Sequence, residues 1–281
     1  MENATLPRHD MGTPKFDNPP VVETIIGVHF SPVRKIRNAH LGLFWRELGS
    51  ENWPSIDEAS LVEPDIERFD EGLPLNLRNI SFQVATKGIP NRLRIWNRDQ
   101  DRMIQIQNDV LRYNWLGHKE EKKYPEFDNV KPEFDKSLSK LNCFIDKNKL
   151  GEIQPIQWEI VYINHLEKDT VWRAPQDLGS VFPGLLGSLP PISTTDTPLE
   201  SMSGQWCYVI GEQKGRLRIG LRHARKAKNQ EVIVFSLTAR GPASNEQEIH
   251  EGIELGHETI VRAFKELTSP EAHQYWQLRN D

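Results

Sequence analysis

The stretch from Met103 to Trp115, MIQIQNDVLRYNW, constrains the fold of this chain more than any other. Apolar and aromatic residues alternate with polar ones along most of it, and this period of two is typical of a β-strand with one buried face. Asn108 and Asp109 interrupt the alternation and indicate a bulge or bend. The stretch predicts a core strand of an antiparallel sheet. Its polar residues form a candidate recognition face: Gln105, Gln107, Arg112 and Asn114.

The rest of the chain indicates two similar series of elements, each running strand, helix, loop, three strands and long helix. The first series has strands at 21–30, 79–86, 91–97 and 103–115, a loop over 50–75 and a long helix at 124–148. The second has strands at 157–165, 205–211, 216–222 and 231–239 and a long helix at 249–266.

These series predict an α+β fold with two similar halves. Each half is expected to be an antiparallel sheet of about four strands, with a short and a long helix packed on one face. The predicted boundaries are a flexible tail over 1–18, an N-terminal half over 19–150 and a C-terminal half over 151–281. The halves can also form one continuous domain, in which their strands join into one continuous sheet with the helices behind it. The other sheet face would then be open.

Composition excludes several classes of protein. The net charge of -5 argues against a protein that binds nucleic acid over most of its own surface, although a local basic patch could still bind it. The two cysteines lack CxxC spacing, which suits a reducing compartment and excludes a cysteine-rich zinc site. No apolar run approaches the roughly 18 residues that span a bilayer, and the first 20 residues lack the apolar core of a signal peptide. We expect a cytoplasmic prokaryotic protein that does not enter membranes.

A basic run, RLRIGLRHARKAK over 216–228, stands out in this acidic chain. Its candidate binding residues are Arg216, Arg218, Arg222, Arg225 and Lys226. The first three share one face of the predicted strand and could meet phosphate, a nucleotide or an acidic protein. The run lacks the interleaved aromatic residues of a single-strand-binding platform. The alternative is an edge strand that its charges protect from further pairing.

A second set of polar residues is a candidate lining for a pocket between the sheet and the long helices: Glu159, His165, Arg240 and His257. Strand alternation places Glu159 and His165 on one face of 157–165, and Tyr162 and Asn164 on the other. Glu159 and His165 are roughly 20 Å apart at about 3.3 Å per residue, so a straight strand cannot bring them to one metal ion.

Motifs with a known chemistry are absent from the sequence. It contains no HExxH, no phosphate-binding glycine loop, no GxSxG and no CxxC. We therefore predict no metal, no cofactor and no catalytic residue, and we favour a non-catalytic protein over an enzyme.

Several segments form a distinctive set in a fixed order: PPVVETIIGVHF, MIQIQNDVLRYNW with YPEFDNVKPEF, QWEIVYINHL, and LTARG with ELGHETIVRAFKELTSPEAHQYW. The set covers most of residues 19–277 and resembles a sporadically distributed family of uncharacterised prokaryotic proteins. The resemblance implies no activity or catalytic residue for this chain. The patchy distribution of the family implies traffic on mobile elements, as in defence, immunity or toxin–antitoxin systems.

Three hypotheses about function follow. The leading one is a non-catalytic module that binds a protein partner in a defence, immunity or toxin–antitoxin system. The second is a small-molecule or nucleotide-binding protein, or an enzyme, with a pocket between the sheet and the long helices. The third and least favoured is nucleic-acid binding through the basic strand, which would weaken steeply with salt.

Overall fold

The computed structural model of this chain describes residues 12–63, 65–69, 92–117, 123–189, 197–226 and 229–279. The strands in these ranges are β1 (Val21–Phe30), β2 (Ser55–Ala59), β3 (Arg92–Trp96), β4 (Arg102–Ile106), β5 (Val110–Leu116), β6 (Pro155–Glu167), β7 (Ser203–Ile210), β8 (Gly215–Arg225) and β9 (Glu231–Pro242). The helices are α1 (Asn38–Leu48), α2 (Phe127–Lys147), α3 (Leu178–Val181), α4 (Glu246–Leu267) and α5 (Pro270–Tyr275), with a 3-10 turn at Pro175–Asp177.

All nine strands belong to one antiparallel sheet, in the order β2-β3-β4-β5-β1-β6-β9-β8-β7. Strand β1 lies near the centre, because β5 pairs with one of its edges and β6 with the other. The long helices pack on one face of the sheet. Helix α2 lies over β5 and β1, and α4 lies over β6, β9 and β8.

The predicted division into two similar four-stranded halves is wrong, although the α+β class is confirmed. Five strands precede α2 and four follow it, and all of them form one sheet. The helices differ as well, since α1 has 11 residues and α3 has only four. Sequence periodicity identifies strands but not their neighbours, so it could not show that β1 and β6 join their backbones into a single sheet.

The stretch from Met103 to Trp115 is a hairpin, not one strand. Strands β4 and β5 pair with each other, with Met103 opposite Asn114 and Gln105 opposite Arg112. The turn is short, and Gln107 N donates to Val110 O at 3.1 Å across it. After the turn, the alternation of apolar and polar residues resumes with a shift of one position. A single strand with a bulge would show the same shift, so the sequence alone resembled one strand.

Three other predicted segments are the loop over 50–75, the strand over 79–86 and the short helix of the second series. Strand β2 lies inside the predicted loop over 50–75, and its five residues pair with β3. The predicted strand over 79–86 lies outside the described residues. The short helix expected after the first strand of the second series is α3, which has only four residues.

The core lies between the sheet and its helices. Helix α2 presents an apolar stripe of buried residues that includes Val130, Phe134, Leu138 and Leu141. Helix α4 approaches the sheet most closely where Gly252 and Gly256 lie over the buried ring of Trp158. Trp158 therefore points toward the helices, and alternation along β6 directs its neighbour Glu159 to the opposite face. No helix in the described ranges is long and apolar enough to cross a membrane.

Candidate functional site

The sheet face opposite the helices carries a row of nine aligned positions, one from each described strand. Charged residues occupy most of these positions. In sheet order, the residues at matching positions are Asp57, Arg94, Gln105, Arg112, Gly27, Glu159, Arg240, Arg216 and Val209. Acidic and basic residues are interspersed along the row, so most of its charges can be compensated within the chain.

Glu159 lies next to Gly27, the middle position of this row, and has three basic side chains close to it. Arg240 Nε donates to its Oε2 at 2.6 Å, Arg112 Nε lies 2.8 Å from its Oε1, and His29 Nε2 lies 3.9 Å from Oε2. The Glu159 side chain is only 1% exposed. Burial alone would raise the pKa of this carboxyl group, but Arg240 and Arg112 hold the pKa well below its usual range. Glu159 is therefore a buried, ionised carboxylate with two guanidinium partners.

Gly27 makes the contact between Arg112 and Glu159 possible. These two residues lie on β5 and β6, and β1 runs between them. A Cβ atom at position 27 would lie 2.9 Å from Arg112 Cγ, closer than carbon atoms normally approach. The glycine leaves the space through which the arginine side chain crosses the central strand.

A segment that we call the strap, residues 61–63 and 65–69, lies across the same face. Two glutamine side chains hold its backbone. Gln107 accepts from Val62 N and donates to Val62 O, both at 3.0 Å. Gln157 accepts from Glu67 N at 2.8 Å and donates to Asp65 O at 3.0 Å. Each amide thus pairs with the strap as a neighbouring peptide group would.

The strap also pairs with two arginines of the basic strand β8. Glu67 accepts from Arg216 at 2.8 Å and binds both Nε and Nη2 of Arg218, the two-pronged geometry that arginine favours with carboxylates. Burial alone would raise the pKa of Glu67, but hydrogen bonds from Arg218 and Arg216 lower it. Asp65 in turn accepts from Arg240 at 2.7 Å.

Most of the binding residues predicted from the sequence lie on this face but already have partners in the chain. Gln105, Gln107 and Asn114 are buried, and Gln105 donates to Asn114 at 2.8 Å. Lys226 pairs with Glu167, whereas Arg222 and Arg225 are exposed. The predicted recognition face is therefore largely an internal polar layer, because Glu159 on β6 pairs with its Arg112 and the strap backbone pairs with its Gln107.

On the opposite face, a cavity of about 320 Å³ lies between the sheet and helices α2 and α4. Its walls are mainly apolar and aromatic, and include Phe16, Phe127, Leu237, Ile260, Val261 and Phe264. This volume lies at the small end of the range of about 300–1,000 Å³ typical of ligand pockets.

A chain of hydrogen bonds runs along one wall of the cavity. Tyr124 and Tyr162 share a hydrogen bond of 2.9 Å between their hydroxyls, and the Tyr162 hydroxyl lies 2.9 Å from His257 Nδ1. The His257 ring stacks on Phe127, with centroids 3.9 Å apart and planes within 5°. Burial raises the pKa of both phenols and lowers the pKa of His257 to about 4. All three groups are therefore neutral at pH 7.

Asn164 adds an unsatisfied acceptor to the cavity. It lines the cavity two residues beyond Tyr162 on β6, and it is 1% exposed. Its Nδ2 donates to Phe235 O at 3.0 Å, whereas its Oδ1 has no hydrogen-bond partner among the described residues. Buried polar atoms without partners are uncommon and point to a site where a partner binds.

Residues near the N-terminus line the cavity and are held in place by the C-terminal segment. Phe16 belongs to its lining and packs edge-on against Phe264 at 5.3 Å. Backbone bonds tie Asp17 to Gln277 at 3.0 Å and Asn18 to Trp276 at 3.1 Å, within the C-terminal segment. Residues 1–11 of the predicted tail lie outside the described residues, but residues 13–16 line the cavity.

The structure separates the four predicted pocket residues. His257 lines the cavity, whereas Glu159, His165 and Arg240 extend from the other face of the sheet. Alternation in the sequence had already grouped Tyr162 with Asn164. Nothing local indicated Tyr124, which reaches the site from the segment before α2. Within the described ranges, no cluster of three or more His, Cys, Asp or Glu side chains could hold a metal ion.

Comparison with known proteins identifies no relative for this site. No protein-family model matches the chain, and no curated protein matches it.

Proposed function

We propose that this chain is a small-molecule-binding protein that holds its ligand in the cavity between the sheet and helices α2 and α4. The observation that carries the proposal is a mainly apolar cavity with a few converging polar groups, one of which lacks a partner. This combination is characteristic of ligand sites. A dry, empty cavity would leave the Asn164 acceptor without a partner among the described residues, at a cost of about 1–3 kcal/mol.

Replacing Val261 with phenylalanine tests this proposal. The larger side chain should occupy part of the cavity and exclude the ligand, while the fold persists because filling a cavity is usually tolerated. Small molecules extracted from purified wild-type and variant protein are compared by mass spectrometry. We expect a compound retained by the wild type to fall at least about tenfold in Val261→Phe, the loss that accompanies about 1.4 kcal/mol of binding energy.

Leu255→Phe is the matched control, since Leu255 lies on the same helix but outside the cavity lining. It should retain the compound. Equal retention by both variants, or no enriched compound in the wild type, would contradict the proposal.

A protein-binding role is the second candidate, and strand β7 favours it. Tyr208 and Val209 are 45% and 59% exposed on this last strand of the described sheet. Its sequence, SGQWCYVI, contains neither the charges nor the proline that commonly protect edge strands from further pairing. Such an edge can accept a strand from another protein. A role in defence or toxin–antitoxin systems stays a prediction from the sequence resemblance.

Val209→Lys tests this second candidate. A lysine here would place a charge in the contact, so a protein that co-purifies with the wild type from host extract should be lost. Ile56→Lys makes the same change on β2, the opposite end strand, where Ile56 is 39% exposed, and it should leave the partner bound. Loss in both variants, or in neither, would argue against β7 as the contact.

A further inference from the structure

We infer that the cavity takes a neutral, mostly apolar ring compound that donates a hydrogen bond to Asn164 through a hydroxyl or N–H group. This inference rests on the proposed function and adds the chemical class of the ligand. Three features of the cavity support it: the orientation of the Asn164 amide, the absence of a compensating charge among the described interior residues, and the aromatic walls.

The donor follows from the Asn164 side chain. The Phe235 carbonyl oxygen accepts from Nδ2 at 3.0 Å and so fixes which way the amide points. The flipped amide would set two acceptors against each other. Oδ1 is therefore the atom left without a partner among the described residues. Since this oxygen can only accept, the ligand must supply the hydrogen.

The neutral character follows from the positions of the charges. The interior polar groups are two phenols, a neutral imidazole and an amide. The charged lining residues Lys15, Asp128 and Glu254 are exposed at the mouth, and Glu126 is half-buried there.

Two of these acids also have basic neighbours. Arg279 lies 3.5 Å from Glu126, and Lys131 lies 3.7 Å from Glu254. An ionised ligand would therefore lose its hydration in the interior without gaining a counter-charge from the described lining, which is strongly unfavourable.

The ring follows from the shape of the walls. Phe16, Phe127 and Phe264 all line the cavity, and His257 already lies parallel to Phe127 within it. Flat aromatic compounds gain from stacked and edge-on contacts with such walls, beyond the area that they bury.

Isothermal titration calorimetry of the full-length protein with four probes tests the inference. Indole is neutral and carries an N–H donor, and 1-methylindole has a similar shape without the donor. Tryptamine and indole-3-acetate add a positive and a negative charge. We expect indole to bind, 1-methylindole to bind about tenfold more weakly, and both charged probes to bind more weakly still. In Asn164→Ala, the preference for indole over 1-methylindole should disappear.

Each other outcome overturns a stated part of the inference. Equal affinities for indole and 1-methylindole in the wild type would contradict the hydrogen bond from the ligand to Asn164, while the cavity would remain a binding site. This comparison needs no variant. Tighter binding of a charged probe would overturn the neutral class. If none of the four binds at about 1 mM, the inference fails. The comparison of compounds retained by the wild type and by Val261→Phe then tests the proposed function separately.

Discussion

Replacing Glu159 with glutamine is expected to lower the free energy of unfolding by about 3–5 kcal/mol at pH 7. The variant keeps the size of the side chain but leaves Arg112 without its carboxylate partner and Arg240 with Asp65 alone. Removing one member of a buried ion pair costs this much because the remaining charges lose both hydration and partner. Domains of ordinary stability have only about 5–15 kcal/mol in total, so the loss should be obvious in a urea denaturation curve.

Glu258→Gln is the matched control, because Glu258 pairs with Arg262 on the exposed surface of α4. Losing this surface ion pair should lower the free energy of unfolding by less than about 1 kcal/mol. Adding Arg112→Met to Glu159→Gln should recover part of the stability, since it removes one of the uncompensated charges. A Glu159→Gln variant within about 1 kcal/mol of the wild type would contradict the role assigned to this carboxylate.

The pKa of Glu159 predicts the pH dependence of the same stabilisation. The pKa in the folded state lies below the unfolded value of 4.5. The unfolded state therefore binds more protons as the pH falls below 4.5, and the contribution of Glu159 is lost as the pH falls through the folded pKa. Wild-type stability should fall more steeply with acid than that of Glu159→Gln. The contribution of Glu67 to the pH dependence is present in both proteins, so it does not account for the difference between them.

The second large effect is expected at Gly252, where alanine should destabilise the protein by at least about 2 kcal/mol. A Cβ atom at this position would lie 2.2 Å from Trp158 Cδ1. Alanine normally favours a helix over glycine by about 1 kcal/mol, so helix propensity acts in the opposite direction. The clash should dominate, because α4 would have to move away from the sheet.

The Trp158 ring cannot easily move instead. It is 1% exposed, and Cβ atoms built at Gly215, Gly241 and Gly256 would also lie within 3.0 Å of it. Close-packed interiors of this kind accommodate added atoms only by strained side chains or shifts of the backbone.

Thermal or urea unfolding measures the effect, and Gly42→Ala in α1 is the matched control. Nothing lies within 4 Å of a Cβ atom built at Gly42, so that variant should gain up to about 1 kcal/mol. Combining Gly252→Ala with Trp158→Leu should show a favourable coupling, because the smaller side chain makes room for the added methyl group. Gly252→Ala as stable as Gly42→Ala would mean that α4 does not lie this close to Trp158.

Much of the secondary structure could be predicted because it depends on neighbours a few residues apart. The apolar spacing of α2 and α4 and the alternation in β6 are local properties of the chain. Alternation also separated Glu159 from Tyr162 and Asn164, and the structure places the first on the polar layer and the other two on the cavity side.

The functional surfaces were less predictable, since they depend on pairs distant in sequence. Glu67 meets Arg216 across 149 positions, and Tyr162 meets His257 across 95. Without these partners in view, the exposed polar face and the basic strand were reasonable expectations. Glu159 and the strap bring Arg112, Arg216 and Arg218 into an internal network. Arg222 and Arg225 of the basic strand stay exposed.

The sequence by itself determined which segments form strands and helices and which side chains share a face, because backbone geometry repeats over two or about 3.6 residues. Only the tertiary structure decided that β1 pairs with both β5 and β6, that β4 and β5 fold back on each other, and that the two long helices enclose a cavity against the sheet. Those features arise from long-range backbone pairing and packing, which local periodicity does not encode.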